Sequence, residues 1–235
     1  MNQLWVIRHG QASFLADDYD QLSPLGIEQG RALGTYWAAR GITPSRVVIG
    51  PRRRHQQTAD AASEVFREQG LDWPEETQLD ELDEHDGQEI VNLAVPGYVE
   101  DYPELADRSK PEGRRRYFEL FRRITRAWAR GEEPTPSDLE PWAAFRARVE
   151  RGIRSVIESR EHAGEEGITA VFTSGGPVAT ATGMVLGLPD EKVLELSWVV
   201  RNAALAEIRC HSEGLTLHAF NTIDHLSDPR LVSYI

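Results

Sequence analysis

The sequence predicts an α/β protein in which a mostly parallel sheet is sandwiched between helices. Three short apolar runs carry this prediction, at residues 4–7, 47–49 and 168–173. Runs of this length, rich in β-branched and aromatic residues, are typical of strands buried on both faces. Each run is followed by polar or small residues and then by a helical pattern. The expected fold class is therefore a three-layer α/β/α sandwich with a mostly parallel central sheet.

The first run ends in residues that carry chemistry. Leu4 to Ile7 lead directly into Arg8, His9 and Gly10. Open α/β sheets bind ligands at the carboxyl ends of their strands, so this position suits a binding site. The glycine allows a ligand to approach the backbone, and the guanidinium offers a planar fork for phosphate or carboxylate. An isolated Arg-His-Gly at an ordinary strand end remains the alternative.

Helix signals follow the first two runs. Ser23 and Pro24 have the types preferred at the N-cap and at the first helical position, and this helix should end near Gly41. After the second run, three adjacent arginines at 52–54 lead into an Ala-rich helix. Such a basic run is usually solvated, but here it lies at a strand end and a helix N-terminus, where anions are favoured. We therefore expect arginines from two strands at one edge of the sheet.

The third run turns into Ser174, Gly175 and Gly176 at the start of a small-residue helix, an arrangement that suits phosphate. Two further strands, joined by a turn at residues 211–214, are predicted near the C-terminus. Between these parts, residues 96–166 differ in composition and carry two amphipathic helices rich in aromatic residues. We expect one domain, 1–235, with a helical cap or insertion at about 96–166, whose aromatics pack in the core. In the alternative, Arg114, Arg115 or Arg116 reaches the distal part of a charged substrate.

Composition limits the partners and the compartment. The chain has 26 Lys and Arg against 38 Asp and Glu, and its net charge of −12 disfavours nucleic acid. Its single cysteine, Cys210, forms no internal disulfide, which favours a reducing compartment. We find no signal-peptide pattern and no stretch near the ~20 apolar residues of a membrane span. A cytoplasmic protein that binds neither membranes nor nucleic acid is expected.

Several motifs together resemble the histidine phosphatase superfamily, whose members are similar to phosphoglycerate mutase. Each motif alone is weak, but their order and spacing along most of the chain are specific. They are Arg8-His9-Gly10, Leu22-Ser23-Pro24-Leu25-Gly26 with Gln29, Arg54 with Gln57-Thr58-Ala59, and Asn221 with Asp224-His225-Leu226.

The resemblance implies a phosphomonoester hydrolase that acts through a phosphohistidine on a small phosphorylated molecule. By that similarity His9 is the nucleophile, and Arg8 and Arg54 hold the phosphoryl oxygens. An acid should protonate the leaving oxygen, and the family pattern Leu-x-Glu occurs twice, ending at Glu81 and Glu84. We prefer Glu84 and leave Glu81 open. Gly10, Gln11, Ser174 and Gly175 would contact the phosphate. Asn202 matches a family asparagine near the pocket, whereas His55 and His85 occupy no family catalytic position.

No metal or other cofactor is expected, because the seven histidines are scattered and show no metal-ligand spacing. One position departs from the family pattern, because Ser174 stands where a second histidine is usual. A neutral donor in place of a charged one is expected to cost roughly tenfold in rate. The alternative function is therefore a weakly active or non-catalytic phosphoryl-binding or regulatory protein. A mutase is less favoured, since no separate signature for a second phosphate is found. If the chain associates, a symmetric homodimer is the expected assembly.

Overall fold

A computed structural model describes residues 2–13, 20–132, 135–163 and 166–234 of the chain. These parts contain six strands and seven α-helices, together with short 3₁₀ turns. Of the described helices, none has both the length and the apolar composition that crossing a membrane requires. In chain order the elements are β1 (Asn2–Arg8), α1 (Pro24–Ala39), β2 (Arg46–Ile49), α2 (Arg53–Glu68), β3 (Glu76–Gln78), α3 (Gly87–Ala94), α4 (Pro111–Ala129), α5 (Trp142–Ala163), β4 (Gly167–Thr173), α6 (Gly175–Leu186), α7 (Asp190–Ser197), β5 (Leu205–His211) and β6 (Gly214–Thr222).

The strands form one sheet in the order β3-β2-β4-β1-β5-β6. The first four in that order are parallel, and β5 and β6 add an antiparallel hairpin at one side. Residues at the ends of the parallel strands are therefore neighbours, and Arg8 of β1 is paired with Thr173 of β4. The predicted α/β class and the three-layer sandwich are confirmed.

Successive residues of β1 point into the two hydrophobic layers. Leu4 and Val6 belong to a core that also contains residues of α5, α6 and α7. Trp5 and Ile7 belong to a second core, formed with α1 and α2 on the opposite face of the sheet. This alternation explains why the strand is apolar at every position, as expected for a strand covered on both sides.

Local sequence signals place the helix ends near the site. Ser23 caps α1 by accepting a hydrogen bond from the Gly26 N–H at 3.1 Å, as its position before Pro24 predicted. The predicted strands at residues 47–49 and 168–173 and the C-terminal hairpin are also present. The first of the two helices predicted within residues 96–166 begins at Pro111, whose fixed φ angle suits the first helical position.

The segment predicted as a cap or insertion contributes α4 and α5 to the larger core. Trp128 of α4 lies 5.3 Å, ring centre to ring centre, from Trp142 at the start of α5. Trp142 in turn lies 5.4 Å from Phe145, and all three rings are buried. The expectation that these aromatics pack as core is confirmed. Because residues 79–94 pass over the same cluster, the two helices support the loop that carries Glu84.

Buried histidine makes the stability of the fold depend on pH. His225 lies in the segment after β6, is buried, and packs edge-on against Tyr36 of α1. Burial lowers the pKa of His225 from 6.5 to about 4. As the pH falls, His225 is therefore protonated near pH 6.5 in the unfolded chain but only near pH 4 in the folded protein. The resulting stability is complete above pH 6.5 and is lost as the pH falls through that window.

We expect His225→Gln to reduce the acid sensitivity of the fold, because glutamine does not titrate. Between about pH 7 and about pH 5, the wild type should lose about 2 kcal/mol more free energy of unfolding than the variant. Urea unfolding of both proteins at the two pH values measures this difference. Equal losses in the two proteins would contradict the assignment, since all other titrating groups are shared.

Candidate active site

Three strand ends meet at one edge of the sheet and bring together His9, Arg54 and Ser174. The His9 N–H donates to the carbonyl of Thr173 at 2.8 Å, which fixes the loop after β1 beside the start of α6. The Arg54 side chain, from the first turn of α2, contacts both other residues. Its Nε donates to His9 Nε2 at 3.1 Å, and its Nη2 donates to Ser174 Oγ at 3.3 Å. Residues far apart in sequence thus form one hydrogen-bonded group.

The imidazole of His9 is buried, with 4% of the residue exposed. Its Nδ1 lies 2.6 Å from the carbonyl of Gly10, which can only accept, so Nδ1 carries the ring proton. The other nitrogen, Nε2, accepts from Arg54. Burial, followed by the charges of Arg54 and Arg8, lowers the pKa of His9 well below 6.5. The ring is therefore neutral near pH 7, and Nε2 presents a lone pair to the site.

Both predicted arginines lie beside His9, but they are held differently. Arg54 is 6% exposed, and its Nη1 forms an ion pair with Asp20 at 2.8 Å. Arg8 donates from Nη1 to the carbonyl of Tyr234 at 3.0 Å and to that of Val200. The C-terminal segment therefore anchors one guanidinium, while an acidic side chain neutralises the other. A phosphate that reaches Arg54 Nη1 competes with the Asp20 carboxylate.

Glu84 lies against the N-terminus of α6. Its Oε2 accepts from the Gly176 N–H at 3.1 Å, and its Oε1 accepts from the His85 N–H at 3.0 Å. Burial opposes ionisation, but the electrostatic interaction with His85 and these two N–H groups outweigh it and lower the pKa of Glu84. A methyl group at Gly176 would lie 2.0 Å from Glu84 Oε1, so the close approach requires glycine there.

The second acidic candidate, Glu81, faces another part of the surface. Its Cβ and Cγ pack against Gly152 of α5. The residue also lines an open cleft of about 540 Å³ together with Arg148 and Arg151. Of the two glutamates that the sequence pattern left open, the structure places only Glu84 beside Gly176, the second residue of α6.

The remaining predicted residues have mainly backbone roles in this arrangement. The Gly10 N–H donates to Thr58 Oγ1 at 3.0 Å, which links the His9 loop to α2. The Gln11 N–H donates to Gln29 Oε1 at 2.8 Å. Gly175 is the first residue of α6, next to Ser174.

The buried Asn202 closes the other side of the His9 loop. Its Nδ2 lies 3.4 Å from the carbonyl oxygen of His9.

In the segment considered for distal recognition, Arg116 is engaged by Glu104 at 2.9 Å and by Glu119 at 2.6 Å. Arg116 is therefore held by carboxylates of its own surroundings.

Sequence reasoning missed three side chains of the site. Asp20, which pairs with Arg54, lies in a loop without a readable signal. His55 is fully buried and its Nε2 lies 2.7 Å from Ser174 Oγ. His85 lies 3.8 Å from Glu84 and packs among Trp128, Trp142 and Phe145. Of these three residues, His55 could have been predicted, because it stands next to Arg54 in the first turn of a helix that starts at a strand end.

The part of the chain that the structure describes contains no group of three or more His, Cys, Asp or Glu side chains placed to hold a metal ion. The positive charge of the site comes from Arg8 and Arg54. A guanidinium binds a tetrahedral phosphoryl group through paired hydrogen bonds. A neutral imidazole, two guanidinium groups, a hydroxyl and a carboxylate form a set suited to phosphoryl transfer.

Titration of His9 by NMR tests the electrostatics of the site. In the wild type, the ring nitrogens should stay in the neutral Nδ1–H form as the pH falls through 6.5. Replacing Arg54 by Gln removes one cation and should raise the pKa of His9, because a nearby positive charge disfavours the protonated ring. The ring of His225, with a pKa of about 4, is the internal reference that should not move. A wild-type His9 that titrates near 6.5 would contradict this description.

The fold is shared with several solved phosphatases and with a phosphoglycerate mutase. The structure of mycobacterial glucosyl-3-phosphoglycerate phosphatase with inorganic phosphate gives a TM-score of 0.66 at 21% identity, covering 97% of this chain and 100% of that chain. Phosphoglycerate mutase from Bacillus anthracis gives 0.64 at 18% identity, over 96% and 95% of the two chains. Alpha-ribazole phosphatase from Shigella flexneri gives 0.62 at 21% identity, over 94% and 96%.

Sequence comparison supplies the family. Curated protein sequences give no significant match. A model of the histidine phosphatase superfamily (branch 1) matches residues 4–129 and 96–223, which together span most of the chain. The matched region contains His9, Arg54, Glu84 and Ser174. The chain therefore belongs to the histidine phosphatase superfamily, as its motifs predicted.

Proposed function

We propose that the protein is a metal-independent phosphomonoester hydrolase that acts on a small phosphorylated molecule through phosphorylated His9. The observation that carries this proposal is the neutral His9 ring, whose Nε2 lone pair faces Arg54 at 3.1 Å while Nδ1 is held by Gly10. A nucleophilic imidazole must be neutral, and a buried ring between two cations meets that requirement at ordinary pH. Both phosphatases and a mutase share the fold, so the fold alone does not distinguish the two reactions.

In the first half of the reaction, His9 Nε2 attacks the phosphorus atom and forms an N–P bond. The bond from phosphorus to the ester oxygen breaks, and its electron pair stays on that oxygen. Glu84 donates a proton to the oxygen, and the alcohol leaves. Arg54 turns its hydrogen bonds from His9 to the phosphoryl oxygens, while Arg8 adds positive charge nearby.

In the second half, a water molecule attacks the phosphorus and loses a proton to the Glu84 carboxylate. The N–P bond breaks, the electron pair returns to Nε2, and inorganic phosphate is released. Each group ends in its starting form.

Glu84 must be protonated when it acts as the acid, although its pKa is lowered in the free protein. A bound phosphate group supplies the opposing effect. Its negative charge lies close to the carboxylate and raises the pKa of Glu84, since like charges disfavour ionisation. Binding of the substrate is therefore coupled to protonation of Glu84, and the complex holds one proton shared by the phosphate group and the carboxylate.

We infer hydrolysis rather than a mutase reaction because the sequence carries no separate signature for a second phosphate. The acidic composition and the single cysteine support a cytoplasmic protein that binds neither membranes nor nucleic acid, and a homodimer is the assembly we would test. The weakly active or purely binding alternative is favoured by one feature, the serine at position 174. The substrate panel described next distinguishes an enzyme from a binding protein, and the experiment after it tests the role of Glu84.

A panel of phosphomonoesters tests the enzyme directly. The panel includes sugar phosphates, phosphoglycerates and an aryl phosphate, each assayed in the presence of a chelator. We expect the wild type to hydrolyse at least one ester and His9→Ala to lose kcat/KM by a factor of about 10³ or more, because the nucleophile is gone. Activity that disappears with the chelator would contradict the metal-independent route. Equal inactivity of both proteins would favour a binding protein.

Leaving-group dependence identifies the acid. Glu84→Gln should lower kcat/KM, which reports the steps up to alcohol release, by about 10² to 10⁴ for an alkyl phosphate, the usual contribution of a positioned acid. The loss should be smaller for 4-nitrophenyl phosphate, whose leaving oxygen needs no proton. Glu81→Gln is the matched control and should behave like the wild type with both substrates. Equal losses for the two esters in Glu84→Gln, or a larger loss in Glu81→Gln, would contradict the role of Glu84.

A further inference from the structure

Ser174 does not cap the helix that it precedes. It is the N-cap residue of α6 and has an extended backbone, yet its side chain makes no capping hydrogen bond. Serine is among the strongest N-cap residues because its hydroxyl oxygen normally accepts a backbone N–H of the first turn. Here Oγ is turned to the His55 ring, 2.7 Å away, and to Arg54 Nη2, 3.3 Å away. The hydroxyl is therefore oriented by His55 and Arg54 and not by the first turn of α6.

The orientation of the His55 ring identifies the donor in this pair. His55 Nδ1 accepts the backbone N–H of Arg52 at 3.4 Å. Because that N–H can only donate, we assign the proton of the neutral ring to Nε2, and in this tautomer the Nε2–H donates to Ser174 Oγ. Burial, followed by the charge of Arg54, lowers the pKa of His55 well below 6.5 and keeps the ring neutral.

The ring fits only because residue 50 is glycine. A methyl group at Gly50 would lie 2.5 Å from His55 Nδ1 and 2.9 Å from the carbonyl oxygen of Leu82. The loop after β2 therefore leaves a space that the histidine fills. Glycine at position 50 therefore allows the His55 ring to take the place from which it contacts Ser174.

The Ser174 hydroxyl has a limited number of hydrogen bonds to make. A hydroxyl accepts two hydrogen bonds and donates one. Ser174 Oγ accepts from His55 and from Arg54, which uses its two lone pairs. With the proton of His55 assigned to Nε2, Ser174 donates to none of the described residues, so its hydrogen can be given to a ligand. Two donors on the oxygen, one of them cationic, also polarise the O–H bond and strengthen it as a donor.

We propose that His55 and Ser174 act as one unit in phosphoryl binding, with His55 as a positioning residue and the Ser174 hydroxyl as the donor to the phosphoryl group at His9. The proposal rests on the proposed function and deepens it. Arg54 touches both His9 Nε2 and Ser174 Oγ, so a phosphoryl group bound at His9 Nε2 lies beside the hydroxyl as well. The pair thus supplies a donor at the position where the family pattern has a histidine.

Variants at position 55 separate donation from shape. His55→Gln keeps a neutral N–H donor near the place of Nε2, whereas His55→Phe keeps the ring shape without any donor. For the most active ester of the panel, we expect kcat/KM to fall roughly tenfold to hundredfold in His55→Phe and to stay within about threefold of the wild type in His55→Gln. His225→Gln replaces another buried neutral histidine and should leave kcat/KM unchanged. A residue that only fills space would favour phenylalanine over glutamine, and that order would overturn the proposal.

A double-mutant cycle with Ser174 tests whether the two residues form a unit. Ser174→Ala alone should lose about as much kcat/KM as His55→Phe. The double variant should lose little more than either single variant, because each change removes the same donor. Losses that multiply would show independent residues and would contradict the pair. Unfolding by urea confirms that all variants are compared in the folded state.

Binding of inorganic phosphate, measured by calorimetry, distinguishes this proposal from the proposed function. We expect His55→Phe and Ser174→Ala each to weaken phosphate binding roughly tenfold, again without a further loss in the double variant. If the wild type turns over no ester but phosphate binding shows this pattern, the catalytic function fails and the binding unit stands. Phosphate binding that is unchanged in both variants would overturn the pair, whatever the outcome for turnover.

Discussion

The contact between Arg54 and the neutral ring of His9 is the interaction on which the rest of the site depends. A guanidinium is charged at every accessible pH, so a ring that accepts a hydrogen bond from it must keep its lone pair. Burial at the end of β1 removes the water that would stabilise a protonated ring. The result is a histidine held in the form that can attack phosphorus, next to the charge that would receive the phosphoryl oxygens.

The surrounding structure serves to balance this charge. Asp20 pairs with Arg54, and backbone carbonyls near the C-terminus engage Arg8. His55 lies against the same guanidinium and stays neutral. In a chain with a net charge of −12, Arg8 and Arg54 place two positive charges at one edge of the sheet. An anionic substrate would encounter attraction at that edge and repulsion over most other surfaces.

Much of this arrangement could be predicted from local sequence. The four apolar residues of β1, the Ser-Pro start of α1 and the Gly-rich start of α6 each act through their nearest neighbours, and the family motifs placed His9, Arg8 and Arg54. The pair of His55 and Ser174 could not be predicted in this way. It depends on the register of β2 beside β4 and on the space that Gly50 leaves for the His55 ring, which only the assembled fold defines.

The two acidic candidates show the same limit, since Glu81 and Glu84 fit one local pattern. Tertiary contacts place the two side chains in different surroundings. Gly176 admits the carboxylate of Glu84 to the helix start, whereas Glu81 packs on Gly152 of α5. Asp20 gave no signal because its role arises only from its place beside Arg54.

The most direct measurement is the site of phosphorylation within His9. The protein would be mixed with an excess of a substrate ester, quenched in base within milliseconds, and examined by ³¹P NMR and peptide mass spectrometry. Because Gly10 holds Nδ1 and Nε2 carries the lone pair, we predict an acid-labile, base-stable phosphoryl group on Nε2 of His9. A phosphoryl group on Nδ1 or on another residue, or turnover without any phosphorylated protein, would contradict it.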